Sequence, residues 1–214
     1  MKIYDWGMAP NPRRLHIFLA EKGLDIERIE VGTDGAKLAD WYKEKYPHAL
    51  TPMLELDDGT CIGEVPAIWD YLEAIYPEPA LIGRTPAERA QAIMWEALAR
   101  DDGFYRAGEV FRNTHPAFVD RGLPGSREPI PQIPQLAERG RAAMARFFAK
   151  FDAQLADKEF VAGAYFSIAD ITTLCTIDFA KWTRIQIPQE YTNLTRWHAA
   201  VSNRPSAKEG TRPT

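Results

Sequence analysis

The chain has 214 residues, 45% of them hydrophobic and 26% charged. That is enough apolar content for a buried core, and the charge fraction is too ordinary for a disordered chain. The formal net charge of −4 excludes a dominating basic face, so nucleic acid is not expected as a partner. The apolar runs are short and broken by charges, so no membrane span is expected, and residues 1–6 lack the apolar centre of a secretory signal. A cytoplasmic protein is therefore expected.

The first third alternates strand and helix patterns. Residues 2–4 form a short strand. A helix over 12–22 follows, with Asn11 as its N-cap, Pro12 at its first position, Gly23 closing it, and Leu15, Phe18 and Leu19 as its apolar stripe. Residues 26–31 predict a second strand. Residues 36–46 predict a helix with Leu38, Trp41 and Tyr42 as contacts. Residues 51–56 and 61–63 read as two strands joined through Asp58-Gly59. A helix carrying Ile68, Tyr71, Leu72 and Ile75 completes a β-α-β-α-β-β-α order, a sheet with helices packed on it.

Prolines 77, 79 and 86 with Gly83 then break the pattern. Two domains are expected, over 1–77 and 87–214, with 78–86 as linker. The second part is helical throughout. Thr85-Pro86-Ala87-Glu88 is a capping box opening a helix with Ile93, Met94, Ala97 and Leu98 on its apolar face, and the helical pattern extends to about residue 113. After a Pro/Gly-rich loop over 115–134, residues 136–155 predict a helix burying Met144, Phe147, Phe148, Phe151 and Leu155. Ser167-Ile168-Ala169-Asp170 is a second capping box, heading a helix with Ile171, Leu174, Cys175, Phe179 and Trp182. A last helix carries Leu194, Trp197 and Val201. Cys61 and Cys175 are too far apart in sequence for a Cys-x-x-Cys pair and are expected as two buried thiols. The four histidines, His16, His48, His115 and His198, show no metal-ligand spacing, and no metal is expected.

Four segments in order resemble the cytosolic glutathione transferase family, in particular its bacterial-type members with an asparagine in the active-site motif. They are Ala9-Pro10-Asn11-Pro12-Arg13-Arg14 running into Phe18-Leu19-Ala20-Glu21-Lys22-Gly23; Thr51-Pro52-Met53-Leu54-Glu55-Leu56-Asp57-Asp58-Gly59; Gly63-Glu64-Val65-Pro66-Ala67-Ile68; and Phe160-Val161-Ala162-Gly163 with Phe166-Ser167-Ile168-Ala169-Asp170-Ile171. The resemblance spans nearly the whole chain. It implies a thioredoxin-like N-terminal domain, an all-α C-terminal domain, a homodimer, and glutathione as co-substrate lying on the first domain.

By the same resemblance, Asn11 at the start of the first helix stabilises the glutathione thiolate. Thr51 offers its backbone beside a cis Pro52. Glu64 and Val65 hold the γ-glutamyl end. The physics agrees: a free thiol with a pKa near about 8.5 is mostly protonated at neutral pH, and a helix N-terminus favours the anion. Val65 stands where the family usually has serine, and Met8 where some relatives carry a hydroxyl. No cysteine sits at this helix. The cleft for a hydrophobic electrophilic second substrate is expected to be lined by Met8, Phe104, Phe111 and His115, with Tyr105 among them. The function implied is attack of the bound thiolate on that electrophile. The alternatives are a glutathione-dependent disulfide reductase, or a non-catalytic glutathione- or partner-binding module on the same fold.

Overall fold

Strand β1 (Lys2–Asp5) alternates its side chains between two cores. It pairs in parallel with β2 (Glu27–Glu30) and antiparallel with β5 (Met53–Glu55), which pairs antiparallel with β6 (Cys61–Gly63). The sheet order is β2-β1-β5-β6. Ile3 faces Leu54 across the ladder, and both join the core under α1 (Pro10–Lys22) and α3 (Val65–Ile75). Tyr4 faces Met53 on the opposite side, packed with Val31 and with Tyr42 of α2 (Asp40–Lys45). The period of two thus sorts one strand's residues between two helical layers. A two-stranded ribbon, β3 (Gly32–Thr33) and β4 (Lys37–Leu38), precedes α2. The structure, a computed structural model, describes residues 1–7, 9–33 and 37–210.

Within the core, Phe18 stacks on Trp69 at 5.8 Å, and both are fully buried. Each such large side chain contributes about 1.5–3 kcal/mol by leaving water. Gly23 ends α1 in the left-handed region (φ 64°), as expected. The start of α1 differs from expectation. The helix begins at Pro10, with Ala9 as its N-cap, so Asn11 lies inside the first turn. Proline is pre-organised for a helix start, and Pro10 and Pro12 both sit among positions whose N–H groups would be unpaired anyway. That overrides the capping preference of asparagine. Helix α2 is also shorter than expected, beginning at Asp40.

Helix α4 (Pro86–Ala99) starts at the Thr85 capping box, with both reciprocal bonds made. It continues through a π-helical turn, Arg100–Phe104, into α5 (Tyr105–Arg112). Ile93 and Met94 point outward, 45% and 43% exposed, because α4 packs through Ala92, Glu96 and Ala99 instead. Helix α6 (Pro134–Gln154) buries Met144, Phe147, Phe148 and Phe151. It crosses the π turn at Gly103, where a Cβ would stand 2.6 Å from the Phe147 ring, so only glycine allows this approach. Helix α7 (Ile168–Lys181) runs through the middle of the helical part and starts at the Ser167 capping box. Asp170 of that box accepts from the backbone N–H of Val161 and of Ser167 and from the Trp197 indole, at 2.9–3.0 Å. Burial pushes the Asp170 carboxyl up to about 6, against the pull of those bonds. Helix α8 (Thr192–Ser202) closes the core with Leu194, Trp197 and Val201. Cys175 is buried, but Cys61 is exposed: β6 is an edge strand, and its outward residues face solvent. Among the described residues no helix is long and apolar enough to cross a membrane.

Candidate active site

The strand register brings three segments to one end of the sheet. Tyr4 pairs with Met53, and Met53 with Gly63. Residues 6–7 and 9–10 after β1, residues 51–52 before β5, and residues 64–65 after β6 therefore emerge together. The Thr51–Pro52 bond is cis. Glu64 takes φ 62° and ψ 121°, a conformation that costs a non-glycine residue on the order of 1–3 kcal/mol. Its carbonyl accepts from the N–H groups of Ala67 (3.0 Å) and Ile68 (3.1 Å), while its side chain is exposed. Val65 is buried as the first residue of α3. Beside it, the Tyr46 ring lies so close to Gly63 that a Cβ there would stand 1.8 Å from the hydroxyl oxygen. Glycine alone lets Tyr46 reach this end of the sheet, where burial, with Glu64 beside it, raises the phenol pKa.

The first turn of α1 has few donors. Pro10 and Pro12 have no N–H, and the Arg13 N–H is taken by the Ala9 carbonyl at 3.3 Å. Asn11 is thus the residue of this turn that brings an N–H to its open end. The Asn11 side chain adds a second group, and its orientation is set. Its Oδ1 accepts from Nη1 of Arg14 at 3.0 Å. A guanidinium only donates, so the amide oxygen must face Arg14 and the amide NH2 must face elsewhere.

Arg14 is buried, 2% exposed, and its guanidinium is held from the helical part of the molecule. Nη2 donates to Oε1 of Glu96 at 2.5 Å, and Nε to Oγ1 of Thr172 at 3.1 Å. Its Cζ lies 4.9 Å from the Trp69 ring centre and 5.2 Å from that of Phe104. Burial lowers the pKa of this guanidinium, and Glu96 pulls it back up. The second oxygen of Glu96 accepts from Nη1 of Arg100 at 3.0 Å. Sequence reasoning misses Arg14, Glu96 and Thr172. Their only signal is positional: Arg14 falls beside Leu15 and Phe18 on the apolar face of α1, and a buried charge there requires an opposite one nearby.

The residues expected along the second-substrate cleft are placed unequally. Met8 lies outside the described residues. Phe104 is buried (5% exposed) beneath Arg14 and packs on Phe179 at 5.7 Å. Its neighbour Tyr105 is 44% exposed. Burial, with the charges of Glu64 and Asp101, raises the Tyr105 phenol pKa against the pull of Arg100 and Arg14. Phe111 and His115 stand farther along the same wall. Phe111 is half-buried among His115 (4.9 Å), Phe118 (5.1 Å), Phe179 (5.4 Å) and Trp182 (5.6 Å). His115 accepts from the Ala117 N–H through Nδ1 at 3.2 Å, so a neutral ring carries its proton on Nε2. The loop after α5 crosses to the sheet domain, where Arg127 donates to the Lys43 carbonyl at 2.8 Å. Tyr4, another hydroxyl near β1, is committed elsewhere: it donates to Glu55 at 2.5 Å on the α2 side of the sheet. Among the described residues no cluster of His, Cys, Asp or Glu could hold a metal ion.

The glutathione S-transferase N-terminal domain model matches residues 3–80, and the glutathione S-transferase C-terminal domain model matches residues 114–205. Glutathione S-transferase 2 of Saccharomyces cerevisiae is 32% identical over 213 residues, covering 98% of this chain and 88% of that protein. The crystal structure of a glutathione S-transferase domain-containing protein from Marinobacter aquaeolei VT8 matches with a TM-score of 0.85 at 34% identity, covering 96% of this chain and 99% of that one. Elongation factor 1-gamma of Schizosaccharomyces pombe is 26% identical over 211 residues, which is 92% of this chain and 46% of that protein. The mixed four-stranded sheet with its flanking helices is a thioredoxin-like domain, the remainder is an all-helical domain, and the chain belongs to the glutathione S-transferase family.

Proposed function

We propose that this protein binds glutathione at the end of the sheet where residues 9–11, 51–52 and 64–65 meet, and transfers it to a hydrophobic electrophile by attack of the thiolate. One observation carries the proposal. Asn11 lies in the first turn of α1 with its amide oxygen held by Arg14, which leaves the amide NH2 for an anion. A thiolate accepting from it and from the turn's backbone N–H is favoured over the thiol, and each pKa unit so gained corresponds to about 1.4 kcal/mol. The backbone of Thr51 beside cis-Pro52 is suited to pair with the tripeptide backbone. The Glu64 carboxylate is suited to the γ-glutamyl ammonium, and the Val65 N–H to its carboxylate. Val65 supplies no hydroxyl, which costs about 0.5–1.5 kcal/mol relative to serine.

The electrophile would lie between this site and the wall of Tyr105, Phe111 and His115, with Met8 proposed on its near side and Phe104 supporting it from beneath. Residues 1–77 would form the glutathione-binding unit and 87–214 the helical one, joined by 78–86. The protein would act as a cytoplasmic homodimer in detoxification. Two unpaired cysteines suit a reducing compartment. Glutathione is the only cofactor invoked.

A second reading is a non-catalytic glutathione- or partner-binding module. The similarity to elongation factor 1-gamma favours it, as do Met8 and Val65, residue types without a hydroxyl. A glutathione-dependent disulfide reductase has less support, since neither cysteine belongs to the start of α1. Calorimetry with glutathione, followed by turnover on aryl halides, epoxides, enals and mixed disulfides, separates these. Binding with turnover on a carbon electrophile is the expected result. Binding without any turnover supports the module, and no binding at millimolar glutathione overturns both.

A further inference from the structure

We propose that Arg14 is a positioning residue for the thiolate site: its guanidinium turns the nitrogen end of the Asn11 amide toward the glutathione sulfur. This rests on the function proposed above and adds a second-layer device to it. The two ends of an asparagine amide are nearly equal in shape but opposite in hydrogen bonding. One orientation presents an NH2 donor to a sulfur anion, and the other presents a carbonyl oxygen that repels it. Nothing in Asn11 itself chooses between them. Arg14 does, because its Nη1, 3.0 Å from Oδ1, tolerates only an acceptor.

Arg14 can act this way because it is itself immobile. It is 2% exposed, its Nη2 is fixed by Glu96, its Nε by Thr172, and the rings of Trp69 and Phe104 lie about its plane. Glu96 is held in turn by Arg100 and by the Thr172 hydroxyl at 3.3 Å. Glu96 belongs to α4 and Thr172 to α7, so the amide that faces the ligand on the sheet domain is aligned from the helical domain. A lysine at position 14 would keep the charge but lose the fork that reaches three acceptors at once. Arg14→Lys therefore separates geometry from charge.

The test is a double-mutant cycle on the pKa of bound glutathione. It is read from thiolate absorbance against pH, with the S-methylglutathione complex as reference to cancel tyrosine ionisation. The proteins compared are the wild type, Asn11→Ala, Arg14→Lys and the double variant. In the wild type the bound thiol is expected to titrate well below its free value of about 8.5. Asn11→Ala and Arg14→Lys are each expected to raise it by about one unit, tenfold in thiolate stabilisation, with kcat falling and KM for glutathione nearly unchanged. The double variant is expected to titrate no higher than Asn11→Ala alone, since Arg14 acts through Asn11. An unchanged pKa in Arg14→Lys, or additive shifts in the double variant, would overturn the proposal. A wild-type thiol titrating at its free value would instead overturn the thiolate function itself. If Arg14→Lys does not fold, Thr172→Val removes one anchor of the guanidinium while leaving every charge in place. A rise of a few tenths of a unit or more is expected, absent when Asn11 is already alanine; no rise, or the same rise in both backgrounds, overturns the proposal.

Discussion

At the residue scale the site depends on what its side chains lack. Ala9 caps α1 without a hydroxyl, and Pro10 and Pro12 remove two of the N–H groups that a helix start normally presents. In the proposed reaction, anion stabilisation would thereby be concentrated on Asn11. Its truncation should show a specific kinetic pattern: Asn11→Ala is expected to lower kcat by about tenfold or more while leaving KM for glutathione within about threefold, because the lost bond is made to sulfur rather than to the peptide. Steady-state kinetics with one aryl halide measures both. The asparagine itself was legible in the sequence; its place in the helix was not. Asparagine before proline looks like a cap, and only the helix geometry shows that Pro10 already occupies the first turn. Arg14 was less legible still. An arginine on a helix ordinarily reads as a solvated charge, and the two acceptors that hold it from the helical domain lie 82 and 158 residues away.

At the scale of elements, local signals were read well and long-range ones poorly. Both capping boxes, at Thr85 and Ser167, form as their sequences suggest, since all their bonds lie within four residues. Residues 2–4 read as a short strand from sequence, but which face met which helix depended on pairing with β5. The apolar face of α4 was assigned to Ile93 and Met94, whereas Glu96 turns inward because it must meet Arg14. The turn after β6 carries a similar dependence. A methyl group at Gly63 would stand 1.8 Å from the Tyr46 hydroxyl oxygen and 2.8 Å from the carbon that bears it. Gly63→Ala is therefore expected to destabilise the fold by about 1–3 kcal/mol, in line with overpacked sites. It should also raise KM for glutathione by displacing Glu64. Tyr46→Phe in the same chain should recover part of the stability, since the nearest clashing atom is gone. Urea unfolding of the two single variants and the double reads this, and no recovery at all would show that the strain lies in the Gly63 backbone instead.

At the scale of the whole molecule, two adjacent arginines of α1 bind the sheet domain to the helical one. Arg14 reaches Glu96 and Thr172. Arg13 reaches Asp178 of α7 at 2.8 Å and the carbonyls of Ala207 (2.9 Å) and Glu209 (3.2 Å) near the end of the described chain. Asp178 also accepts from Lys181 and His198. Burial alone would raise its carboxyl, but His198, Arg13 and Lys181 together hold it well below the usual carboxylate range. A carboxylate depressed on folding contributes stability that is complete above its unfolded pKa, about 3.9, and is lost as pH falls below that value. Asp178→Asn is therefore expected to lower unfolding free energy at pH 7 and to flatten its decline between about pH 4 and pH 2. Urea titrations at both ends of that window measure the change, and an unaltered acid slope would show that the cluster contributes nothing to the domain contact.

The most direct test of the whole assignment is a crystal structure of this protein with glutathione bound. The expected result is the tripeptide backbone against Thr51 beside cis-Pro52, its ammonium near Glu64, and its sulfur within hydrogen-bonding distance of the Asn11 amide nitrogen. A sulfur pointing away from the start of α1, with Asn11 contacting only protein, would contradict the thiolate chemistry while leaving the fold untouched.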